Sequence, residues 1–152
     1  MSQVRAALSI LMAEDDADDR VLMRDAFRDS GVEVELDFVP DGVELMARLN
    51  SLIDAPDGKL PDLLLLDLNM PRMDGREALH AIREHDGLKH LPVIILTTSR
   101  ARLDILASYQ LGANSFVTKP SRFEELIAVL RSLERYWTDI VQLPTEKQGS
   151  EE

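Results

Sequence analysis

The chain has 152 residues, 45% of them apolar, which suits one domain with a sizeable core. Twenty-eight acidic residues against 17 basic ones give a formal net charge of −11, a field that repels nucleic acids and anionic membranes. Cysteine is absent, which excludes disulfides and thiolate metal sites. No apolar run reaches the ~18 residues of a membrane span, and the start, MSQVRAALSI, lacks the build of a cleaved signal peptide. The expectation is a cytoplasmic protein with neither a nucleic-acid nor a membrane partner.

Along the chain, apolar runs bounded by turn residues alternate with segments of helical period. Leu8–Ala13 reads as a strand and is followed at once by Glu14, Asp15 and Asp16. Leu22, Met23, Ala26 and Phe27 then fall at helical spacing, and Gly31 is the stop. Val34–Val39 alternates as a strand does. After the turn Pro40-Asp41-Gly42, the residues Val43, Met46, Leu49 and Leu52 continue with helical spacing, and Ala55–Leu60 is a polar surface loop. Leu63–Leu66 is an unbroken apolar run, short enough for a strand buried on both faces. It ends at Asp67, and NMPRMDG leads into a helix from about Arg76 to Arg83 with Ala78, Leu79 and Ile82 inward.

Val93–Leu96 is a second buried strand, ending at Thr97-Thr98-Ser99. Leu103, Leu106, Ala107 and Leu111 mark another helix, closed by Gly112. Ser115–Thr118 is a short strand that ends at Lys119-Pro120. The last helix starts near Ser121 and its pattern runs to about Leu143, through Phe123, Leu126, Ile127, Leu130, Leu133, Trp137 and Ile140. Residues 1–143 therefore read as one domain with an extended final helix, and 144–152 as a disordered polar tail. Strand followed by helix, five times over, predicts a doubly wound α/β domain: a five-stranded parallel sheet with helices on both faces.

Such sheets bind ligands outside the carboxyl ends of their strands. There the first strand delivers Glu14 and Asp15, the third Asp67, the fourth Thr97 and the fifth Lys119. Carboxylates gathered in one crevice repel each other and call for a proton or a cation. An all-oxygen site without His or Cys suits a hard ion such as Mg2+. An aspartate in this setting can be a nucleophile that forms an acyl phosphate, with metal and lysine neutralising the transferring group. Asp67, central in the crevice, is the natural nucleophile. Glu14 and Asp15 would hold the metal, and Thr97 and Lys119 would contact the phosphoryl group.

LLLLDLNMPRMDG, the acidic pair after the first strand, VIILTTS and SFVTKP together resemble the response-regulator receiver family of two-component systems, over about residues 8–135. The resemblance implies the flavodoxin-like (βα)5 fold, with Asp67 as the acceptor of a phosphoryl group from a sensor histidine kinase. It implies Mg2+ held by Asp15, Asp67 and the main-chain carbonyl of Asn69, with Glu14 acting mainly through water. Thr97 and Lys119 match the switch hydroxyl and lysine, Phe116 matches the switch aromatic, and the Lys119-Pro120 bond is expected cis. Ser99 and Asn69 flank the site where the family tunes dephosphorylation. The first acid is Glu where the family often has Asp, which leaves the metal assignment intact. DGREALHAIRE, GANSFVTKP and YWTDIVQLP, with the polar loop before the third strand, are similar to single-domain regulators paired with cyanobacterial and bacterial phytochromes.

Two other readings are weaker. A hydrolase working through an aspartyl phosphate needs a second Asp two residues after the nucleophile, and that position is Asn69. A receiver-like interaction module that no longer takes phosphate would have lost some of these residues, and all are present. His80, His85 and His90, at i, i+5 and i+10, share no helical face and are expected at the surface rather than on a metal. Lastly, Tyr136, Trp137, Ile140, Val141 and Leu143 lie beyond what one small domain should cover, and predict a homodimer built on the end of the last helix.

Overall fold

A computed structural model describes residues 7–144. Four leucines in a row can form a strand only where both faces are covered. β3 (Leu63–Leu66) accordingly lies at the centre of the sheet, with each of its leucines fully buried. Around it stand β1 (Leu8–Ala13), β2 (Val34–Val39), β4 (Val93–Thr97) and β5 (Ser115–Thr118), in the order β2-β1-β3-β4-β5 and parallel throughout. Between them run α1 (Ala17–Ser30), α2 (Gly42–Asp54), α3 (Gly75–Glu84) and α4 (Arg102–Gln110), and α5 (Phe123–Arg135) follows the last strand.

The two-residue period of the strands divides the core into two layers. Leu64, Leu66, Val93 and Ile95 face the layer built with Leu45 and Leu49 of α2 and Ala78, Leu79 and Ile82 of α3. Leu63, Leu65, Ile94 and Leu96 face Met23, Ala26 and Phe27 of α1 and Leu126 and Leu130 of α5. β2 is an edge strand. Its outward residues Glu35 and Asp37 are exposed, which is why its sequence alternates while that of β3 does not.

The structure departs from the sequence reading in four places. α2 buries Leu45 and Leu49 rather than Val43, which is exposed, because the helix starts at Gly42 and its inward stripe falls on an i, i+4 row from Leu45. α4 buries only Ser108, and Leu103 and Leu106 point to solvent. α5 ends at Arg135, and the chain leaves it through a single π turn, Tyr136–Ile140, closed by Val141 N–H donating to the Tyr136 carbonyl at 3.1 Å. Trp137 and Leu143 thereby fold against the domain's own α1/α5 layer, so of the proposed contact surface only Tyr136 and Ile140 remain well exposed. The Lys119-Pro120 bond is trans, the form an X–Pro bond favours by about 0.5–1 kcal/mol, and Lys119 reaches its partners from it. Residues 145–152 of the expected tail lie outside the described residues.

Candidate functional site

The order of the sheet reverses between β1 and β3, and a crevice opens there at the carboxyl ends of the strands. The backbone ladder runs one residue past three of those ends. Glu14 N–H donates to the Val39 carbonyl at 2.9 Å, Asp67 N–H to Ala13 at 3.3 Å, and Lys119 N–H to Thr97 at 2.7 Å. These residues continue the alternations Met12–Glu14, Leu65–Asp67 and Val117–Lys119, all in phase with the α1/α5 layer. The outcome is a shared cluster. One carboxylate oxygen from each of Glu14, Asp15 and Asp67 lies within 4.8 Å of the others, and Lys119 Nζ stands 2.6 Å from Glu14 Oε1 and 3.8 Å from Asp67 Oδ2.

Glu14 is 1% exposed, and burial pushes its carboxyl above the usual range, only partly offset by the hydrogen bond and charge of Lys119. Burial works to lower the Lys119 ammonium, but Glu14, with Asp67 and Asp19 behind it, outweighs that and holds it above its ordinary value. One ammonium thus faces a trio of carboxylates, of which Asp15 is open to solvent. The excess negative charge, the all-oxygen donors and the solvent-facing ligand fit a hard divalent ion such as Mg2+, which keeps part of its water shell.

The other residues expected at the site are placed as follows. Thr97 is fully buried at the end of β4, its Oγ1 accepting a long 3.5 Å hydrogen bond from Ser99 N–H. Asn69 is exposed two residues after Asp67, and its N–H donates at 3.5 Å to Asp67 Oδ1. Phe116 is half-buried on β5 against the α2/α3 layer, and its N–H donates to the Tyr109 hydroxyl at 3.1 Å. His80, His85 and His90 take no part in the carboxylate cluster.

The segment from Asp67 to Gly75 is held by groups whose roles the sequence did not announce. A Cβ on Gly75 would lie 2.2 Å from the Asp67 carbonyl oxygen, so only glycine lets α3 begin against the backbone of Asp67. Gly75 N–H donates to the Leu68 carbonyl at 2.9 Å. Arg72 adopts a left-handed backbone, φ 66°, and pairs through its guanidinium with the buried Asp41 at 2.9 Å. Asp41 also caps α2, accepting Glu44 N–H at 2.9 Å. Asp16 caps α1, and Arg20 donates to the Glu14 carbonyl at 2.7 Å, fixing the backbone beneath the acidic pair. The turn-rich NMPRMDG signals a loop but not which of its residues anchors it.

Residues 10–131 match the family described as the response regulator receiver domain. Over 135 residues the chain is 37% identical to response regulator Rcp1 of Synechocystis sp., covering 89% of this chain and 92% of that protein. The structure of the phosphorylated cyanobacterial phytochrome response regulator RcpA superposes with a TM-score of 0.81 at 37% identity, covering 91% of this chain and 99% of that one. The response regulator RPA3017, of red light signaling in R. palustris, superposes at 0.83 with 33% identity, over 91% of this chain and 99% of that one. Among solved relatives, Rcp1 is known in an Mn2+-bound form, with a TM-score of 0.77 at 37% identity, over 90% of this chain and 98% of that one. With its sheet order, its crevice and this match along most of its length, the chain belongs to the receiver-domain family of response regulators and serves two-component signalling.

Proposed function

We propose that Asp67 accepts a phosphoryl group from the phosphohistidine of a sensor kinase and that the domain is switched by it. The observation that carries this reading is the meeting of the Glu14, Asp15 and Asp67 carboxylates within 4.8 Å, with the Lys119 ammonium beside them. An Asp67 carboxylate oxygen attacks phosphorus, the P–N bond of the donor breaks, and its electron pair stays on the imidazole. Lys119, a mobile point charge, leaves Glu14 for the incoming phosphoryl oxygens. The Thr97 hydroxyl approaches them from the end of β4, and Phe116 on the neighbouring strand follows it.

Asp15, Asp67 and the Asn69 carbonyl would hold Mg2+, with Glu14 joining through water. The ion, when bound, neutralises the crowded carboxylates and the charge that spreads over the phosphoryl oxygens. The chemistry is confined to the protein's own phosphorylation and autodephosphorylation. Likeness to RcpA, and to a regulator of red light signaling, supports a phytochrome-type photoreceptor kinase as donor. The exposed Tyr136 and Ile140 support a homodimer as the form that is read.

Acetyl phosphate with Mg2+ is expected to add one phosphoryl group by intact mass, and a chelator to prevent it. Asp67→Asn is expected to stay unlabelled while wild type labels. Full labelling of that variant would overturn the assignment.

A further inference from the structure

Lys119 stands among three carboxylates that differ in kind. Its Nζ lies 2.6 Å from Glu14 Oε1, 3.8 Å from Asp67 Oδ2 and 3.9 Å from Asp19 Oδ2. Glu14 and Asp67 belong to the cluster whose oxygens meet within 4.8 Å, and Asp19 stands outside it. The Glu14 and Asp67 side chains are 1% and 12% exposed, against 44% for Asp19, so Asp19 meets the lysine from its solvent side.

The start of α1 sets the place of Asp19. Asp16 caps the helix, its carboxylate accepting the Asp18 and Asp19 N–H groups at 2.8 and 3.2 Å. Acids in a first turn also suit the positive end of the helix dipole. That explains both Asp18 and Asp19, but not why one of them faces the lysine. Asp18 carries the same charge on the same turn, is exposed, and makes no ion pair with Lys119.

A divalent ion held by the cluster and the Lys119 ammonium draw on the same oxygens and repel each other. The lysine cannot keep its present place without weakening the metal. Driven off with no counter-charge, it would become a largely buried, unpaired ammonium, which is costly. Asp19 offers a third carboxylate that belongs to no metal ligand set. Nζ, now 3.9 Å away, needs to move only about 1 Å to reach an ordinary charge-assisted hydrogen bond with it.

We propose that Asp19 is a positioning residue for Lys119. It receives the ammonium when a divalent ion takes the Glu14, Asp15 and Asp67 cluster, and so raises the metal affinity of a crevice that it does not itself ligate. The proposal rests on the reading of that cluster as the metal site. On the reading of Asp67 given above, the same move draws the lysine off the attacking carboxylate and keeps it at the edge of the crevice for the phosphoryl oxygens.

Calorimetric titration of the full chain with Mg2+ alone tests it. Asp19→Asn is expected to bind about fivefold more weakly than wild type, the upper end for an ion pair open to solvent on one side. Asp18→Asn removes the same charge from the same turn and should lose less than about twofold, since screening weakens a charge that makes no contact. Asp19→Glu, which keeps the charge, should recover most of the loss. In a Lys119→Met background there is no ammonium to receive, so Asp19→Asn should cost no more than Asp18→Asn does. Equal losses in the two asparagine variants of the wild-type chain would overturn the proposal. So would a loss at Asp19 that persists in full without Lys119, because the carboxylate would then act only as a distant charge. A wild type that takes up no Mg2+ gives a different pattern, and would overturn the metal reading of the cluster together with this one.

Discussion

At the scale of single residues, the placement of the Asp67 carboxylate depends on neighbours outside the carboxylate cluster. Gly75 is the clearest case, because a Cβ there would sit 2.2 Å from the Asp67 carbonyl. Gly75→Ala must push either α3 or Asp67 aside. It is expected to cost about 1–3 kcal/mol of stability, as overpacking does, and to slow labelling by acetyl phosphate by up to about 100-fold, the effect of a misplacement near 1 Å. Labelling at the wild-type rate, followed by mass, would show that the loop does not need this contact. Asp41 makes a second case, through pH. Its carboxyl is held below the ordinary 3.8 first by the Glu44 N–H, against burial, and then by Arg72. A depressed acid stabilises the fold above its unfolded value and loses that contribution as pH falls through the folded one. Asp41→Ala is therefore expected to unfold about 1–2 kcal/mol more easily in urea at neutral pH. The gap should stay level down to about pH 4 and close below it. A gap that widens on acidification would contradict the sign. The meeting of Glu14, Asp15, Asp67 and Lys119 was legible in the sequence because a parallel sheet brings strand ends together by topology alone. Arg72, Asp41 and Gly75 were not, since a loop's composition marks a turn without giving its closing contacts.

At the scale of elements, β3 and α4 are opposites. The four leucines of β3 read correctly because an unbroken apolar run is compatible only with cover on both faces. The apolar residues of α4 also had helical spacing, but spacing states that residues share a face, not that anything lies against it. Leu65→Ala is expected to cost about 2–5 kcal/mol, and Leu103→Ala to stay within about 0.5 kcal/mol, both by urea unfolding. A large loss at Leu103 would mean that α4 is packed after all. The stretch between α3 and β5 is instead organised by Arg83. Its guanidinium donates to the carbonyls of Gly112 (2.9 Å), Leu91 (2.8 Å) and Lys89 (3.2 Å) and to Asn114 Oδ1 (3.0 Å), all neutral oxygens. Burial holds its pKa below the ordinary arginine value, yet no carboxylate among these acceptors competes for it. Arg83→Met is expected to lose about 2–3 kcal/mol, with faster hydrogen exchange first in the loops before β4 and β5. Contacts 28 to 31 positions apart leave no periodic trace, which is why neither the bonds of Arg83 to Gly112 and Asn114 nor the Arg76–Asp104 pair could be read beforehand.

At the scale of the whole molecule, the prediction of a homodimer has to be rebuilt on the residues that remain outside. Trp137 and Leu143 pack on the domain's own core, whereas Tyr136 is 47% and Ile140 61% exposed. The two groups should therefore separate by experiment. Trp137→Ala should lower the stability of the fold, by about 3 kcal/mol or less for a side chain only partly buried. Tyr136→Ser with Ile140→Ser should leave stability nearly unchanged and weaken self-association about tenfold or more, because apolar and aromatic side chains dominate such contacts. Charge adds a second signature. Copies of a chain with a formal charge of −11 repel one another, so association should tighten between about 50 and about 300 mM salt as screening shortens. Sedimentation velocity at micromolar protein, with and without acetyl phosphate, reads all of these outcomes. Since Thr97 and Phe116 lie on the strands next to α5 and α4, a phosphoryl group that favours the dimer must itself be favoured by dimerisation, the phosphorylation equilibrium shifting by the same factor. A protein that stays monomeric in both states and at both salt concentrations, and whose boundary is unmoved by the serine pair, would remove Tyr136 and Ile140 from any role in assembly.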